Sequence, residues 1–320
     1  MSRRARGDEG MDTVLRVEEL YKDYSTGWRK PPRTALSGLN LEVPKGSVIG
    51  LLGPNGAGKT TTLKCIMGLI RPQDGRIWLF GEEGVDARKR RSIGFLPEQP
   101  YFDLYLSPRK LLAYYGRLAG MHPSDIKAKT SYLLNLVGMG EEADLTMDKY
   151  SKGMLQRIGL AQSLLTEPEF LVLDEPSSGL DPLGKLQVRD LLESLRGGGT
   201  TILFSSHQLS EIEEICDGVA IIHQGQNIAS GGLDELLRSR DESEIMLEKA
   251  PAAPHEGLPA SASWTDAAQT RLVVDSGDLN ETLRILAGSG AAISEVRQRR
   301  MTLEEYFLEK VGSEGWEVGQ

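Results

Sequence analysis

A nine-residue stretch, GPNGAGKTT at positions 53–61, has the residue types and spacing of a phosphate-binding loop. It fits G-x-x-x-x-G-K-[ST] through Gly53, Gly58, Lys59 and Thr60, between an apolar run and a helical pattern. Glycines let successive N–H groups turn toward phosphate oxygens, and the helix N-terminus adds partial positive charge. We predict that Lys59 contacts the β- and γ-phosphates of a nucleotide and that Thr60 offers its hydroxyl to Mg²⁺. A glycine-rich turn with a solvated lysine is the alternative, and the flanking strand and helix argue against it.

Two carboxylates, Asp174 and Glu175, end an apolar run in FLVLDEP. In parallel sheets the carboxyl ends of the strands face the crevice where ligands bind. We predict that Asp174 is the second Mg²⁺ anchor, acting through water, and that Glu175 is the base that orients the attacking water. Carboxylates also follow strands simply because the chain reaches solvent, so this motif alone is weak evidence for a catalytic site. Together with the phosphate loop it becomes strong evidence.

A third strand pattern, TILFSSHQ, ends at His207. A single histidine in such a place is more often structural than catalytic, and here the other motifs favour catalysis.

A second helix start suited to an anion lies in YSKGMLQRIGLAQSLL, residues 150–165. Ser151 can cap this helix, Gly153 opens its backbone, and apolar residues recur every three or four positions. Because the chain already has one phosphate loop, the role of this second anion-binding helix start needs an explanation.

Composition excludes several classes of protein. The chain has 320 residues, of which 39% are hydrophobic and 26% charged, as in ordinary globular proteins. Its net charge of −9 argues against nucleic acid as the main partner. Cys65 and Cys216 lack metal or redox spacing, which favours free thiols in a reducing cytosol. The polar N-terminus predicts no signal peptide, and no apolar run is long enough to span a membrane.

Apolar bursts of strand length alternate with helical stretches from Thr13 to about Leu237, which predicts an α/β fold. The predicted strands are SVIGLLG, RIWLFG, SIGFLP, FLVLDE, TTILFSS and GVAIIHQG. The predicted helices are Lys59–Leu69, Pro108–Ala119, Ser124–Val137, Gly153–Leu165 and Gly184–Leu195. A change of composition near residue 240 then predicts a small α+β unit. The predicted divisions are a flexible lead 1–11, a main domain 12–238, an extension 242–312 and a tail 313–320.

The ordered motifs of residues 13–238 resemble those of ABC transporter nucleotide-binding subunits. They are the Walker A loop 53–61, the signature 150–157, the Walker B strand 170–175, the D-loop SGLD 178–181 and the switch histidine His207. The resemblance implies a P-loop ATPase cassette with a mostly parallel core sheet, an antiparallel β subdomain and a helical signature subdomain, followed by the small extension. The residues then expected to bind ATP are Tyr24, Gly53, Pro54, Asn55, Gly56, Ala57, Gly58, Lys59, Thr60 and Thr61.

The resemblance also explains the second helix start. In similar proteins two subunits pair head to tail, and the signature of one closes on the γ-phosphate held by the other. ATP then favours the closed dimer and hydrolysis releases it. The signature residues expected to act in this way are Ser151, Lys152, Gly153 and Met154, and the D-loop residues are Ser178, Gly179, Leu180 and Asp181.

Three departures from the family pattern bear on function. The signature reads YSKGM in place of LSGGQ, which resembles exporter-type ATPases encoded apart from their permease, for drugs, lipids, polysaccharides or gliding. The residue that senses the γ-phosphate and Mg²⁺ is expected at Glu98, with Gln99 as the alternative. The aromatic residue that stacks on adenine is expected at Tyr24, with Trp28 as the alternative.

The function predicted from this resemblance is an ATP-hydrolysing motor that energises a separate membrane permease, with export as the expected direction of transport. Its expected ligands are ATP and Mg²⁺, and its expected partners are the permease and a second cassette, identical or different, without nucleic acid. This places the chain in the cytoplasm, on the cytoplasmic face of the plasma membrane through its permease. We expect at least two aromatics of a cluster to face the permease: Tyr101, Phe102, Tyr105, Tyr114 and Tyr115.

Three alternatives were weighed against the motor. A soluble ABC ATPase that acts on a macromolecular complex is the closest, and this chain has one cassette and no heptad run to support it. A small-molecule kinase leaves the signature and His207 without a role. A nucleotide-binding module without catalysis is disfavoured because Glu175 is present.

Overall fold

Two compact units make up the described part of the chain. The computed structural model describes residues 13–25, 32–237, 242–249, 257–299 and 301–311. The first unit runs to Leu233 and the second begins at Asp234, a few residues before the division predicted between 238 and 242. The predicted lead 1–11 and tail 313–320 lie outside the described residues.

The elements follow one another in the order expected from the sequence patterns. The strands are β1 Thr13–Tyr24, β2 Arg33–Pro44, β3 Val48–Leu52, β4 Asp74–Leu79, β5 Glu82–Glu83, β6 Ile93–Leu96, β7 Phe170–Asp174, β8 Thr201–Ser206, β9 Gly218–His223, β10 Gln226–Gly232, β11 Glu242–Leu247, β12 Ser263–Trp264, β13 Arg271–Asp275 and β14 Ile293–Gln298. The helices are α1 Lys59–Ile66, α2 Ala87–Arg90, α3 Pro108–Leu118, α4 Pro123–Leu136, α5 Lys152–Ser163, α6 Pro182–Gly197, α7 Leu209–Ile215, α8 Leu233–Leu236, α9 Leu279–Gly288 and α10 Leu303–Val311.

The central sheet of the first unit has the order β10-β9-β3-β8-β7-β6. Its neighbours pair in parallel except for the antiparallel β9–β10 hairpin. Every residue of β3, β7 and β8 is buried, which is why these strands read as continuous apolar runs. The predicted α/β class and mostly parallel core sheet are therefore confirmed.

The register of this sheet brings three distant parts of the chain to one edge. Leu52 at the end of β3 lies opposite Ser206 at the end of β8, and Asp174 at the end of β7 lies opposite Ser205. The phosphate loop, Glu175 and His207 directly follow these strand ends. The sheet thus places them side by side without any of them being close in sequence.

A second, antiparallel sheet of the first unit has the order β2-β1-β4-β5. Of its four strands, only β4 is among those predicted from the sequence. In β1 the alternation of buried and exposed residues is broken by register shifts, and Glu19 adopts a positive φ of 47°. These irregularities remove the period-two pattern by which an antiparallel strand is usually found.

The helical subdomain consists of α3, α4 and α5, which pack on one another. Helix α5 begins at Lys152, one residue before the predicted start, because Ser151 caps it by accepting from the Met154 N–H at 3.2 Å. Helix α1 ends at Ile66 rather than Leu69, and Gly68 just beyond it has a φ of 66°. Among the described residues, no helix has the length and apolar character needed to cross a membrane.

The second unit contains an antiparallel sheet of order β12-β13-β11-β14 and its own apolar core. Ile245, Leu272 and Val274 on the sheet and Leu286 on α9 form this core. Helix α10 begins with a reciprocal cap, in which the Thr302 hydroxyl accepts from the Glu305 N–H and the Glu305 carboxylate accepts from the Thr302 N–H.

One buried cation holds the turn that joins β5 to α2. Lys89 is only 5% exposed, and its ammonium donates to three backbone carbonyls, those of Glu82, Glu83 and Gly84, at 3.0, 2.9 and 2.8 Å. An ammonium has three donors, so the group is fully satisfied. The lysine therefore replaces the hydrogen bonds that a regular ladder would give to these carbonyls.

We expect Lys89→Met to destabilise the first unit by about 2–4 kcal/mol, because three carbonyls lose a charged partner in a buried site. Calorimetry measures this as a fall of roughly 5–10 °C in the melting temperature of that unit. Lys127→Met, which removes the same charge from an exposed position of α4, is the control. Equal melting temperatures for the two variants would contradict the structural role of Lys89.

Candidate nucleotide-binding site

A cleft of about 790 Å³ at the carboxyl edge of the central sheet collects most of the predicted site residues. The predicted residues that line it are Tyr24, Pro54, Asn55, Gly56, Gly58, Lys59, Thr60, Thr61, Glu98, Glu175, Ser178 and His207. Gly53, Ala57 and Asp174 lie behind this surface, and Leu180 and Asp181 do not line it. These predicted residues come from five separate segments of the sequence.

The phosphate loop between β3 and α1 depends on glycine for space. Gly58 has a φ of 114°, and a Cβ there would lie 2.7 Å from the Ala35 carbonyl oxygen. A Cβ on Gly53 would lie 2.3 Å from the Ile222 carbonyl oxygen. Gly58 is also the N-terminal cap of α1 and offers no side-chain acceptor. The first N–H groups of α1 consequently stay available for an anion.

Lys59 is buried at the floor of the cleft, with 6% of its surface exposed. Its ammonium donates to the Gly53 carbonyl at 2.6 Å and lies 3.2 Å from Glu175 Oε1. The lysine thus links the two ends of its own loop and neutralises a carboxylate from β7. A triphosphate entering the cleft would compete with Glu175 for this charge.

Asp174 is 2% exposed and accepts a hydrogen bond from the Ser205 hydroxyl at 2.7 Å. Burial raises the pKa of this carboxyl, and the charges of Glu98 and Glu175 raise the pKa further. Hydrogen bonds from the Ser205 and Thr60 side chains lower the same pKa in part. Asp174 and Thr60 therefore adjoin at a point where negative charge accumulates and a cation would be stabilising.

The residues at this point fit Mg²⁺. Mg²⁺ usually takes one or two protein oxygen ligands and completes its shell with water and substrate phosphates. Thr60 and Asp174 supply a hydroxyl and a carboxylate, with Glu98 beside them. Within the described residues no group of three or more His, Cys, Asp or Glu side chains could hold a metal by itself. An ion brought in with the phosphates is the arrangement that matches this donor set.

Glu175 is held in a strained backbone conformation at the end of β7, with a φ of 52°. Its N–H donates to the Ser205 hydroxyl at 2.9 Å. Its Oε1 lies 3.2 Å from the Lys59 ammonium, and its Oε2 lies 2.7 Å from His207 Nδ1. The two oxygens of one carboxylate are thereby oriented by a lysine and a histidine from different segments.

The structure separates the alternatives for the residue after β6. Glu98 lines the nucleotide cleft, whereas Gln99 lines a different, apolar groove and accepts from the Tyr101 hydroxyl at 3.3 Å. Tyr24 lines the mouth of the cleft, is 39% exposed and has its hydroxyl 3.5 Å from Thr61 Oγ1. Trp28, the alternative to Tyr24, lies outside the described residues.

Arg33 and Ala35 also line the cleft and were not found from the sequence. Both belong to β2, the strand whose pattern was not recognised. A single exposed arginine at the start of a strand carries no spacing signal. Only the pairing of β1 and β2, which sets Tyr24 opposite Arg33, brings it to the nucleotide cleft.

The signature residues 151–154 do not line the cleft of their own chain. They lie against the D-loop, since a Cβ on Gly153 would be 3.1 Å from the Gly179 carbonyl oxygen and 3.2 Å from the Leu180 side chain. The N-terminus of α5, with Ser151 and Lys152 exposed, faces outward. Of these two motifs, only Ser178 reaches the cleft.

Comparison with known proteins places these features in one family. A family model described as ABC transporter matches residues 36–178. An uncharacterized ABC transporter ATP-binding protein of Nostoc sp. is 38% identical over 93% of this chain and 90% of its own length. The daunorubicin resistance ATP-binding protein DrrA3 of Streptomyces coeruleorubidus is 36% identical over 95% of this chain and 97% of its own.

A solved structure shows the same fold. It is described as the dimeric, post-hydrolysis state of the ATP-binding cassette MJ0796 bound to ADP and Pi. Its TM-score is 0.63, and it covers 68% of this chain and 98% of its own at 21% identity. The P-loop ATPase cassette expected from the motifs is confirmed. By its similarity to these relatives over almost its whole length, the chain belongs to the family of ABC transporter ATP-binding proteins.

Proposed function

We propose that this ATP-binding subunit hydrolyses ATP with Glu175 as base and drives a separate, exporting permease at the cytoplasmic face of the plasma membrane. The observation that carries the proposal is the single carboxylate of Glu175, held between Lys59 at 3.2 Å and His207 at 2.7 Å at the phosphate loop. Export is supported by the relative named for daunorubicin resistance. Relatives of this chain are named as ATP-binding proteins of transporters, and a permease is therefore the expected partner.

The roles of the site residues follow from this geometry. The N–H groups of the phosphate loop and the Lys59 ammonium bind the β- and γ-phosphates. Thr60, Asp174 and Glu98 would hold Mg²⁺, and the bound ion would neutralise phosphate charge. Once the phosphates compete for Lys59, Glu175 is released to accept a proton from water, and His207 keeps its carboxylate oriented.

A second cassette completes the site in this proposal. The exposed N-terminus of α5 is free to meet the γ-phosphate on a partner, because Ser151 and Gly153 do not line their own cleft. The related cassette described as dimeric with ADP and Pi supports such a pairing. The partner is either a second copy or a different cassette, and mixing differently tagged copies tells these apart.

We place the permease contact in a second cleft of the first unit, with a volume of about 1030 Å³. Residues of β6, α3, α4 and the end of α5 line it, including Tyr115 and the 65% exposed Leu118. Of the aromatic cluster predicted to face a partner, Tyr101 and Tyr105 are each 87% exposed. Because β6, which lines this cleft, leads directly into the Glu98 segment, a helix bound there can respond to the nucleotide state.

Glu175→Gln should lower ATP turnover by about a hundredfold or more, because the base is lost while the hydrogen-bonding shape is kept. The same variant should remain a dimer in ATP, as size-exclusion chromatography with light scattering would show. Glu169→Gln, an exposed change at the opposite end of β7, is the matched control and should leave both properties unchanged. Turnover by Glu175→Gln at the control rate would remove Glu175 from the role of base.

Tyr24→Ala should raise the dissociation constant for ATP about tenfold, because a base stacked on an aromatic ring gains on the order of 1–3 kcal/mol. Tyr24→Phe keeps the ring and should bind within about twofold of the original chain. Isothermal titration with a non-hydrolysable analogue measures both values. If Tyr24→Ala binds as tightly as Tyr24→Phe, adenine does not stack on this residue.

Leu118→Arg should abolish recovery of an integral-membrane protein with the tagged subunit from detergent extracts, since a charged group would replace the exposed apolar side chain of Leu118 at the proposed contact. ATP turnover of the isolated subunit should not change. Leu145→Arg, at a residue 60% exposed outside the cleft, is the control. Retention of the membrane protein by Leu118→Arg would place the contact elsewhere. Recovery of a soluble complex alone would favour the non-transport ATPase.

A further inference from the structure

The lysine of the variant signature points toward its own chain. Lys152 Nζ donates to the Ser178 hydroxyl of the D-loop at 3.1 Å. The aliphatic part of the same side chain covers Gly179, where a Cβ would lie 2.8 Å from Lys152 Cδ. Gly179 has a φ of 76°, so its backbone is held in a form that needs glycine. The position that is glycine in the general signature thus carries a contact between two motifs.

A second residue on the same face of α5 makes a parallel contact. Gln156 follows Lys152 by one helical turn and is 1% exposed. Its amide nitrogen donates to the backbone carbonyls of Glu175 and Pro176, at 3.3 and 3.4 Å. Among the described residues its Oε1 has no hydrogen-bond partner, so the side-chain hydrogen bonds of Gln156 are these two. Lys152 and Gln156 together bind the segment 175–178 at both of its ends.

The segment held in this way carries catalytic groups on a tight turn. The Ser178 N–H donates to the Glu175 carbonyl at 3.0 Å, and Glu175 itself has a positive φ. The Glu175 carboxylate and Ser178 both line the nucleotide cleft. A strained turn persists only where its surroundings hold it. Movement of α5 would therefore move the proposed base.

We propose that Lys152 and Gln156 are positioning residues, here named the α5 clamp, which hold the turn 175–178 so that Glu175 and Ser178 meet the nucleotide. The inference rests on the proposed role of Glu175. The N-terminus of the same helix is the part offered to a partner's nucleotide, so the clamp ties the partner's site to the base of its own. In this arrangement Lys152 acts within its chain through Ser178, and Ser151 and Gly153 act across the dimer.

Kinetics of four variants and one control test the clamp. Lys152→Met keeps the stem over Gly179 and removes only the ammonium, and it should lower kcat for ATP about tenfold with KM within about twofold. Ser178→Ala should give a similar loss. The double variant should lose no more than either single one, because both remove the same contact. Lys152→Arg should recover most of the rate. Lys149→Met, which removes an equal charge from an exposed residue nearby, is the control.

Hydrogen exchange of the nucleotide-free subunit gives a second readout that needs no turnover. The amides of Glu175, Ser178 and Leu180 should exchange about fivefold faster in Lys152→Met than in Lys149→Met, because their turn is less constrained. Unchanged exchange together with unchanged kcat would overturn the clamp. The clamp would also be overturned if the kcat of the double variant fell by the product of the two single losses, or if Lys152→Met alone raised KM. Either result would make Lys152 a phosphate contact across the dimer.

Failure of the proposed ATPase function and failure of the α5 clamp give different results in these experiments. If the original chain shows no ATP turnover, the proposed function fails, and hydrogen exchange still decides whether Lys152 constrains the turn. If the original chain turns over ATP and Lys152→Met matches Lys149→Met in rate and exchange, only the clamp fails.

Discussion

The Lys59 ammonium and the Glu175 carboxylate lie 3.2 Å apart in a cleft where both side chains are almost completely buried. Charges in such a place are stabilised only by closely positioned partners, and removal of one partner leaves the other exposed to a large desolvation cost. The parallel sheet supplies the positions, because the ends of β3, β7 and β8 share a register. The glycines, the Ser205 hydroxyl and His207 then complete the coordination of the two charges. Much of the first unit serves to keep these atoms in place.

The site can change state because its resting contacts are the ones that ATP would replace. Lys59 is bound to the Gly53 carbonyl and to Glu175, and a phosphate is a stronger partner for an ammonium than either. Binding of nucleotide in the proposed mechanism therefore frees a base at the moment when water is to be activated. Glu175, whose backbone has a strained φ of 52°, is the residue at which the proposed mechanism places this exchange.

In the proposed arrangement, the first two turns of α5 connect the partner's site to the base of the same chain. Its N-terminus is exposed and capped by Ser151, whereas the face formed by Lys152 and Gln156 is bonded to the turn after β7. In the proposed clamp, a movement of the first turn of α5 reaches the turn 175–178 through the contacts of Lys152 and Gln156. The lysine in place of a glycine adds a contact between signature and D-loop without disturbing the cap. The variant signature thus keeps the Ser151 cap and also contacts the D-loop of its own chain.

The sequence by itself determined the features that depend on contiguous residues. The phosphate loop needs glycines at fixed offsets, buried parallel strands read as apolar runs, and the cap of α5 needs Ser151, so these predictions agree with the structure. The family followed from the order of such motifs, while the catalytic roles of individual residues stay predictions. Tertiary structure alone decided which of Glu98 and Gln99 faces the cleft, that Arg33 reaches it and that Lys152 turns to Ser178. Local patterns specify backbone conformation, whereas the direction of a side chain toward a partner far away in sequence is set by packing of the whole unit.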